Sequence, residues 1–499
     1  MFVKAQLDIS PIIHIYDLVT GCRMALRRMF ISKMTPSQSI RLGLLALVSL
    51  FLAWFTILRK TSPLCVTKYI DRSTGEYNNL VEYVSPVKYR EKGGGFYQIS
   101  DDDIYVYSAF YDNRYRSKYI RIFGMQNRLS PATVRCKLQL ENGLTVLLPI
   151  EMSYPVFDQW PSTQLLYHAY YYGCSVPSVY NITDRVTLSL LTEGSEIEAA
   201  VPMVISKRRA RYPASHQTPP SRGSRGIVIC VKAMWGKVNA TRLIEWLEFH
   251  RLLKVKKIVI YDTTIWGRAR RVLEHYQRTG FVDVITFDYA LRMAVLMRDD
   301  PFLDQLADER LILEQTYLVS MNDCYYRYKD TADYVAVIDN DEIIVPSTET
   351  TLSRLLLEAE ALRMNASAFL FQTAWHLDDF GVGNQMALPY LHTQRYTKRS
   401  PVMKSQPKAM VSVDGAIVIN WHGSVTMPTG YGFQGNQYLP WKRHGYVHHY
   451  REHCKYAEAK CEVLAQMVEL DEIIPRYERA ISASVLKISN QLNMSHFLH

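Results

Sequence analysis

After Gly226 the chain alternates short, wholly apolar runs with stretches of helical spacing, and this alternation limits the fold more than any other feature of the sequence. Ile227-Val228-Ile229-Cys230-Val231 has no polar position, as expected of a strand covered on both faces. Leu243, Trp246, Leu247 and Leu253 then recur at helical spacing between Thr241 and Leu253. Lys257–Asp262 reads as a second buried strand, Arg268–Arg278 as a helix and Val282–Ile285 as a third strand. A long helical stretch, Leu303 to Tyr328, leads into Tyr334-Val335-Ala336-Val337-Ile338. Parallel neighbours need crossovers of a dozen or more residues, and the helices supply them. Residues 226–499 are therefore expected to form an α/β domain, a mostly parallel, Rossmann-like sheet with helices on both faces.

Upstream the texture differs. Residues 96–206 carry short apolar alternations such as Ile104–Tyr107, Ala132–Leu140 and Leu144–Ile150, separated by turn residues and rich in tyrosine, which predicts a smaller β-rich domain. Residues 207–225, KRRARYPASHQTPPSRGSR, form a basic Pro/Ser-rich linker. It reads as a solvated loop, with cleavage after Arg211 by a protease that recognises paired basic residues as the alternative. Residues 59–95, ending in Gly93-Gly94-Gly95, read as a stem.

The net charge of +10 and pI near 9.0 invite a nucleic-acid reading. Residues 1–41 contribute +4 and the linker +6, so the remainder is neutral and no basic binding surface is implied. No nucleic-acid partner is expected. Leu42–Leu58 has 17 residues without a charge. At ~1.5 Å per residue it reaches the short end of a membrane span. Its basic upstream flank predicts a cytosolic tail (1–41), a signal-anchor transmembrane helix (42–58) and a lumenal body: a single-pass type II protein of a thin early-secretory or Golgi membrane. Sequons at Asn181, Asn239, Asn365 and Asn493 all lie downstream, and Asn239 competes as the N-cap of the helix after it. Seven of the eight cysteines are downstream as well. Cys136 and Cys174 are a candidate pair, and Cys65 in the stem is a candidate for an intermolecular bond and a homodimer. Cys454 and Cys461, on one continuous helix, would be ~10 Å apart and would need other partners.

The strand ending at Ile338 runs directly into Asp339-Asn340-Asp341-Glu342. In open α/β sheets ligands gather beyond the carboxyl ends of strands, and carboxylates there can hold Mn²⁺ or Mg²⁺ against a diphosphate. Such a pair of aspartates alone is a weak motif. Its buried strand and its place in a strand–helix alternation strengthen it.

The sequence resembles glycosyltransferase family 92 over roughly residues 226–465. The segments that carry the resemblance are CVKAMWGKVNATRLIEWLEFHRLLKVKKIVIYD (230–262), MNDCYYRYKDTADYVAVIDNDEIIVP (321–346), KSQPKAMV (404–411), INWHGSV (419–425) and VHHYRE (447–452). The resemblance implies a GT-A-type fold, a type II Golgi topology and inverting transfer of galactose from UDP-galactose to a glycan. Asn340 departs from the aliphatic residue usual there. On this basis Asp341 is the first metal ligand, with Asp339 on the metal, its water or the ribose, and Glu342 in support. Asp262 is assigned to the nucleoside, or else to a strand-end cap. His422 or His449 completes the metal shell, and Lys404, Lys408 and Arg451 offset diphosphate charge. Asp378 or Asp379 is the general base an inverting transfer needs. Trp375 either stacks on a sugar or packs in the core. The alternative is a non-catalytic glycan-binding or scaffold protein on the same fold.

Overall fold

The computed structural model describes residues 69–70, 77–78, 95–100, 104–127, 133–156, 167–192, 198–205, 225–287, 308–362, 365–454 and 458–494. The chain divides into two compact units, Met1–Arg90 and Glu91–His499. In the first, Tyr69–Ile70 pairs antiparallel with Tyr77–Asn78. The segment 42–58 and Cys65 lie outside the described residues, as does the linker up to residue 224. Among the described residues no helix is long and apolar enough to cross a membrane. The second unit holds both the β-rich part and the α/β part of the chain.

Its β-rich part contains β1 (Ile104–Asp112), β2 (Lys118–Asn127), β3 (Val134–Gln139) and β4 (Tyr167–Val176). Strands β1, β2 and β4 belong to a six-stranded sheet and β3 to a four-stranded one. In β3, Val134, Cys136 and Leu138 alternate inward. They join Ile104, Val106, Ile120 and Ile122 in a core between the two sheets. The expected Cys136–Cys174 disulfide is present and links them.

The second part runs β5 (Ile227–Gly236), α1 (Ala240–Leu252), β6 (Lys257–Ile265), α2 (Arg268–Arg278), β7 (Val282–Thr286), α3 (Asp308–Tyr328) and β8 (Tyr334–Ile338). It continues with β9 (Glu342–Val345), α4 (Leu352–Leu362), β10 (Ala368–Leu377), β11 (Met403–Ser412), β12 (Tyr446–Arg451) and α5 (Glu478–Gln491). Asn239 caps α1, its side chain accepting the Arg242 N–H at 3.1 Å. The nine-stranded sheet has the order β7-β6-β5-β8-β11-β10-β12-β9, with Asn436–Tyr438 beside β10.

Strands β7, β6, β5 and β8 are parallel, joined by the expected crossovers. Beyond β8 the sheet is mixed: β11 is antiparallel to β8 and β10, and β12 is parallel to β10 but antiparallel to β9. Few crossover helices remain there, and turns and irregular segments permit antiparallel neighbours.

Alternate residues of β5 face opposite cores. Ile227, Ile229 and Val231 meet the layer of α1, α2, α4 and α5. Val228 and Cys230 meet α3, which Cys230 joins through a disulfide to Cys324. The helix α3 in turn lies against the six-stranded sheet, where Phe110 and Phe123 contact Tyr326 with ring centroids 5.2 and 5.3 Å away. On this face a single helix layer separates two sheets among the described residues. Arg114, fully buried in the β-rich part, pairs with Asp112 at 2.8 Å. Its guanidinium also donates to Tyr325 Oη at 3.0 Å and to the carbonyls of Val413 and Ala416.

Cys454 and Cys461 are bonded to each other, with Cα atoms 5.9 Å apart, which corrects the expectation that they need other partners. Cys461 lies on the helix Glu458–Gln466 and Cys454 just after the strand that ends at Arg451, so the two do not share a single described helix.

Candidate functional site

Strand β8 is buried throughout, and its last residue delivers the acidic turn to the sheet edge. The Glu342 N–H donates to Asp339 O at 3.1 Å, and the Asp339 N–H donates to Glu342 Oε2 at 2.9 Å. These reciprocal bonds close the turn, and the indole of Trp246 on α1 anchors it by donating to Glu342 O at 2.7 Å. Strand β12 then crosses β9 with His449 opposite Glu342, and the Tyr450 N–H donates to Asp341 O at 2.8 Å. Gly445 enters β12 at a φ of 109°, where any Cβ would strike Val345 O, so glycine is required for this close approach.

The ligand-type atoms of Asp341, Glu342 and His449 lie within 4.8 Å of one another. His449 Nδ1 is 3.0 Å from Glu342 Oε1, and Nε2 is 3.6 Å from Asp341 Oδ2. Asp341 Oδ1 is buried and accepts no hydrogen bond, the condition of a group awaiting a partner. Two carboxylates and an imidazole suit Mn²⁺ or Mg²⁺, so the residues present fit a divalent cation. Asp339 is placed differently from the expected metal ligand. Its Oδ2 is paired with Lys408 Nζ at 3.1 Å and Lys232 Nζ at 3.2 Å. Lys408 reaches Glu342 Oε2 as well, at 2.8 Å.

Burial alone would raise the Glu342 pKa, but Lys408 and His449 outweigh it and hold the carboxyl well below its usual range. Asp341 is lowered in the same way by His449 against the effect of burial. Burial likewise opposes the charge on Lys408, and Asp339 and Glu342 together raise its pKa. For His449 burial is overcome by Glu342 and Asp341, which raise it.

The Trp375 ring stacks on His449 at 4.2 Å, and the Arg451 guanidinium lies 4.6 Å from the same indole. At 2% exposure Trp375 supports the histidine from within the core and offers no sugar platform.

The other expected residues are distributed around this centre. His422 Nδ1 lies 2.7 Å from the Pro407 carbonyl, and burial lowers its pKa; it is not among the three converging groups. Lys404 is exposed over Tyr438, four residues before Lys408 on β11, roughly 13 Å away by strand rise. Asp262 accepts the Ile265 N–H at 2.7 Å and pairs with Arg270, the arrangement of a cap. Asp378 receives His392 Nε2 at 2.8 Å and lies 3.5 Å from Arg242. It follows Leu377, the partner of Arg451, and is therefore ~10 Å beyond the Trp375–His449 level. Asp379 contacts His453 at 2.9 Å and accepts the Cys454 N–H at 3.1 Å, so it holds the disulfide loop.

Lys232 and Trp246 also belong to the site, a role the sequence pattern does not mark. Neither has a local signature, and only the register of β5 beside β8 and the packing of α1 bring them to the turn.

A second group, His376, His448 and Asp471, is fully enclosed. Here protons already fill the interior. His376 Nδ1 donates to Tyr396 O at 2.9 Å, leaving Nε2 to accept from His448 Nδ1 at 3.1 Å. Asp471 Oδ2 accepts from Tyr446 Oη, and Oδ1 from the N–H groups of Ile473 and Ile474. This is a network that fixes β10 to β12.

The solved structures of a mycobacterial protein and of glucosyl-3-phosphoglycerate synthase from Mycobacterium tuberculosis, in complex with Mn²⁺, UDP and glucosyl-3-phosphoglycerate, are each 11% identical. Each alignment covers 53% of this chain, with 74% and 79% of those chains and low TM-scores of 0.23 and 0.22. Galactan beta-1,4-galactosyltransferase GALS1 of Arabidopsis thaliana is 27% identical over 150 residues, 30% of this chain. The match spans about a quarter, 26%, of that relative's length. Residues 225–485, more than half of the chain, match the model of one family across the whole acidic turn, its lysines and β12, and the chain belongs to glycosyltransferase family 92.

Proposed function

We propose that this protein is an inverting, divalent-metal-dependent glycosyltransferase with a GT-A-type catalytic region, moving galactose from UDP-galactose to a glycan acceptor. The observation that carries the reading is the convergence of Asp341, Glu342 and His449 beyond the carboxyl end of β8, with Asp341 Oδ1 buried and unpartnered. The galactan galactosyltransferase relative supports galactose as the sugar. The apolar segment 42–58, with its basic upstream flank, supports a single-pass type II anchor in a Golgi membrane.

Asp341, Glu342 and His449 would hold the cation, which when bound supplies positive charge against the leaving diphosphate. Lys232 and Lys408 keep the neighbouring carboxylates neutralised, so that the turn can hold four acidic and imidazole groups together before any ligand binds. Arg451 offers a guanidinium to phosphate oxygens. Asp378 is the better general base. Asp379 has both oxygens committed to the 453–454 loop, a backbone N–H among the donors, whereas the Asp378 carboxylate meets only the side chains of His392 and Arg242.

The test is UDP release by the purified protein supplied with UDP-galactose, Mn²⁺ and a panel of glycans, beside Asp341→Asn. Turnover in the wild type and its loss in the variant are expected. Full turnover by Asp341→Asn would remove the metal assignment, and glycan binding without UDP release would remove the enzymatic one.

A further inference from the structure

We propose that Arg451 guards the metal position: it occupies the His449 atom that a cation must use, and gives it up when the metal arrives with a nucleoside diphosphate. The inference rests on the function proposed above. Its first support is the tautomer of His449. Arg451 Nε lies 3.0 Å from His449 Nε2 and can only donate, so this bond is made by the neutral ring, whose Nε2 carries the lone pair. The ring proton then sits on Nδ1, which lies 3.0 Å from Glu342 Oε1 but outside hydrogen-bond geometry, so that Glu342 Oε1 is not committed to it. One ring atom is left for a cation, Nε2, and it is the atom that faces Asp341 Oδ2 at 3.6 Å. Arg451 therefore blocks the imidazole ligand while Asp341 Oδ1 beside it has no partner.

The second support is that the guanidinium has a defined resting place. His449 and Arg451 are two apart on β12 and share a face. Trp375 lies under both, stacked on the imidazole at 4.2 Å and 4.6 Å from the guanidinium carbon. Binding a divalent cation at Nε2 forfeits the Arg451 hydrogen bond and brings two positive groups together, so the cation alone binds weakly. A diphosphate compensates on both counts, because a displaced guanidinium can pair with its oxygens in the fork geometry that arginine favours. Metal and nucleotide thus bind with positive coupling, and by linkage each tightens the other by the same factor.

The experiment measures Mn²⁺ binding to the full-length protein by the EPR signal of free Mn²⁺, with and without UDP, in wild type and Arg451→Met. Methionine keeps the apolar contact with Trp375 and has no donor. In the wild type, UDP is expected to tighten Mn²⁺. In Arg451→Met, Mn²⁺ alone should bind on the order of tenfold tighter than in the wild type, as expected for the loss of one charge-assisted hydrogen bond, and the effect of UDP should shrink. Arg451→Lys, which retains the charge but moves the donor, gives the same direction to a lesser degree and decides the matter if the methionine variant does not fold. Mn²⁺ affinity in the variants equal to or weaker than in the wild type overturns the guard and leaves the metal site standing. Absence of Mn²⁺ binding by the wild type at any UDP concentration overturns the site itself, and the guard with it.

Discussion

Lys408 offers the sharpest test of the electrostatic design around the acidic turn. Its side chain is 5% exposed and that of Glu342 1%. Their 2.8 Å separation corresponds to a Coulomb attraction of about 6 kcal/mol at an effective dielectric of about 20. Burying the two charges opposes this by several kcal/mol, so the pair itself contributes little net stability. Removing only the lysine is a different matter, because it leaves Glu342 charged and enclosed. Lys408→Met is expected to cost about 3–5 kcal/mol. Asp339 is less affected because Lys232 remains 3.2 Å away. The double variant Lys408→Met/Glu342→Gln, which removes both charges, should recover at least about 2 kcal/mol of that loss. Urea unfolding at neutral pH in EDTA measures all three. The pH dependence has a defined sign as well. The Glu342 pKa is depressed in the folded state, so its contribution is present above the unfolded carboxyl pKa and is lost as pH falls through the folded one. Lys408→Met should flatten that acid limb. A loss below about 1 kcal/mol for Lys408→Met, or a double variant no more stable than the single one, would refute the claim that Glu342 is held as a buried carboxylate by Lys408.

Three further outcomes are expected. Asp378→Asn should lower kcat by about 10²–10⁴ while Mn²⁺ and UDP affinities, measured by calorimetry, stay at wild-type values; Asp379→Asn should leave kcat within a few-fold, since it only anchors the 453–454 loop. Arg114→Met should destabilise the protein by about 3–5 kcal/mol in urea unfolding, because the guanidinium is buried against Asp112 and against carbonyls of the catalytic part; a loss under about 1 kcal/mol would mean that the two parts do not depend on this clasp. Burial, and next His448, depress the His376 pKa to about 3, so the unfolded chain takes up a proton there that the folded one refuses. Stability should therefore fall as pH drops from about 6.5 towards 3, and His376→Asn should remove part of that slope.

The acidic turn could be read from the sequence because everything that defines it is contiguous: five buried apolar residues, then Asp339 to Glu342, closed by hydrogen bonds within the turn itself. The parallel half of the sheet was legible for the same reason, since each strand and its crossover helix announce themselves by local period. The cationic half of the site had no such signal. Lys232 lies in a strand whose neighbours are apolar, and Lys404 and Lys408 look alike in the sequence. Pairing of β11 with β8 and β10, and an irregularity beside Gln406, send one to the carboxylates and the other to Tyr438. Register between strands distant in sequence makes that choice, and one sequence contains no statement of it. Asp262 shows the converse: its position after an apolar run resembles that of Asp339, yet β6 continues to Ile265 and folds its carboxylate onto its own turn. Local pattern thus identifies where a charged group leaves the core, whereas only the partners across the sheet decide whether it is spent on structure or left facing a ligand. By that criterion Asp341, with one oxygen unpartnered, is the turn's ligand-facing carboxylate, and Asp339, held by two lysines, is the one that keeps the turn in place.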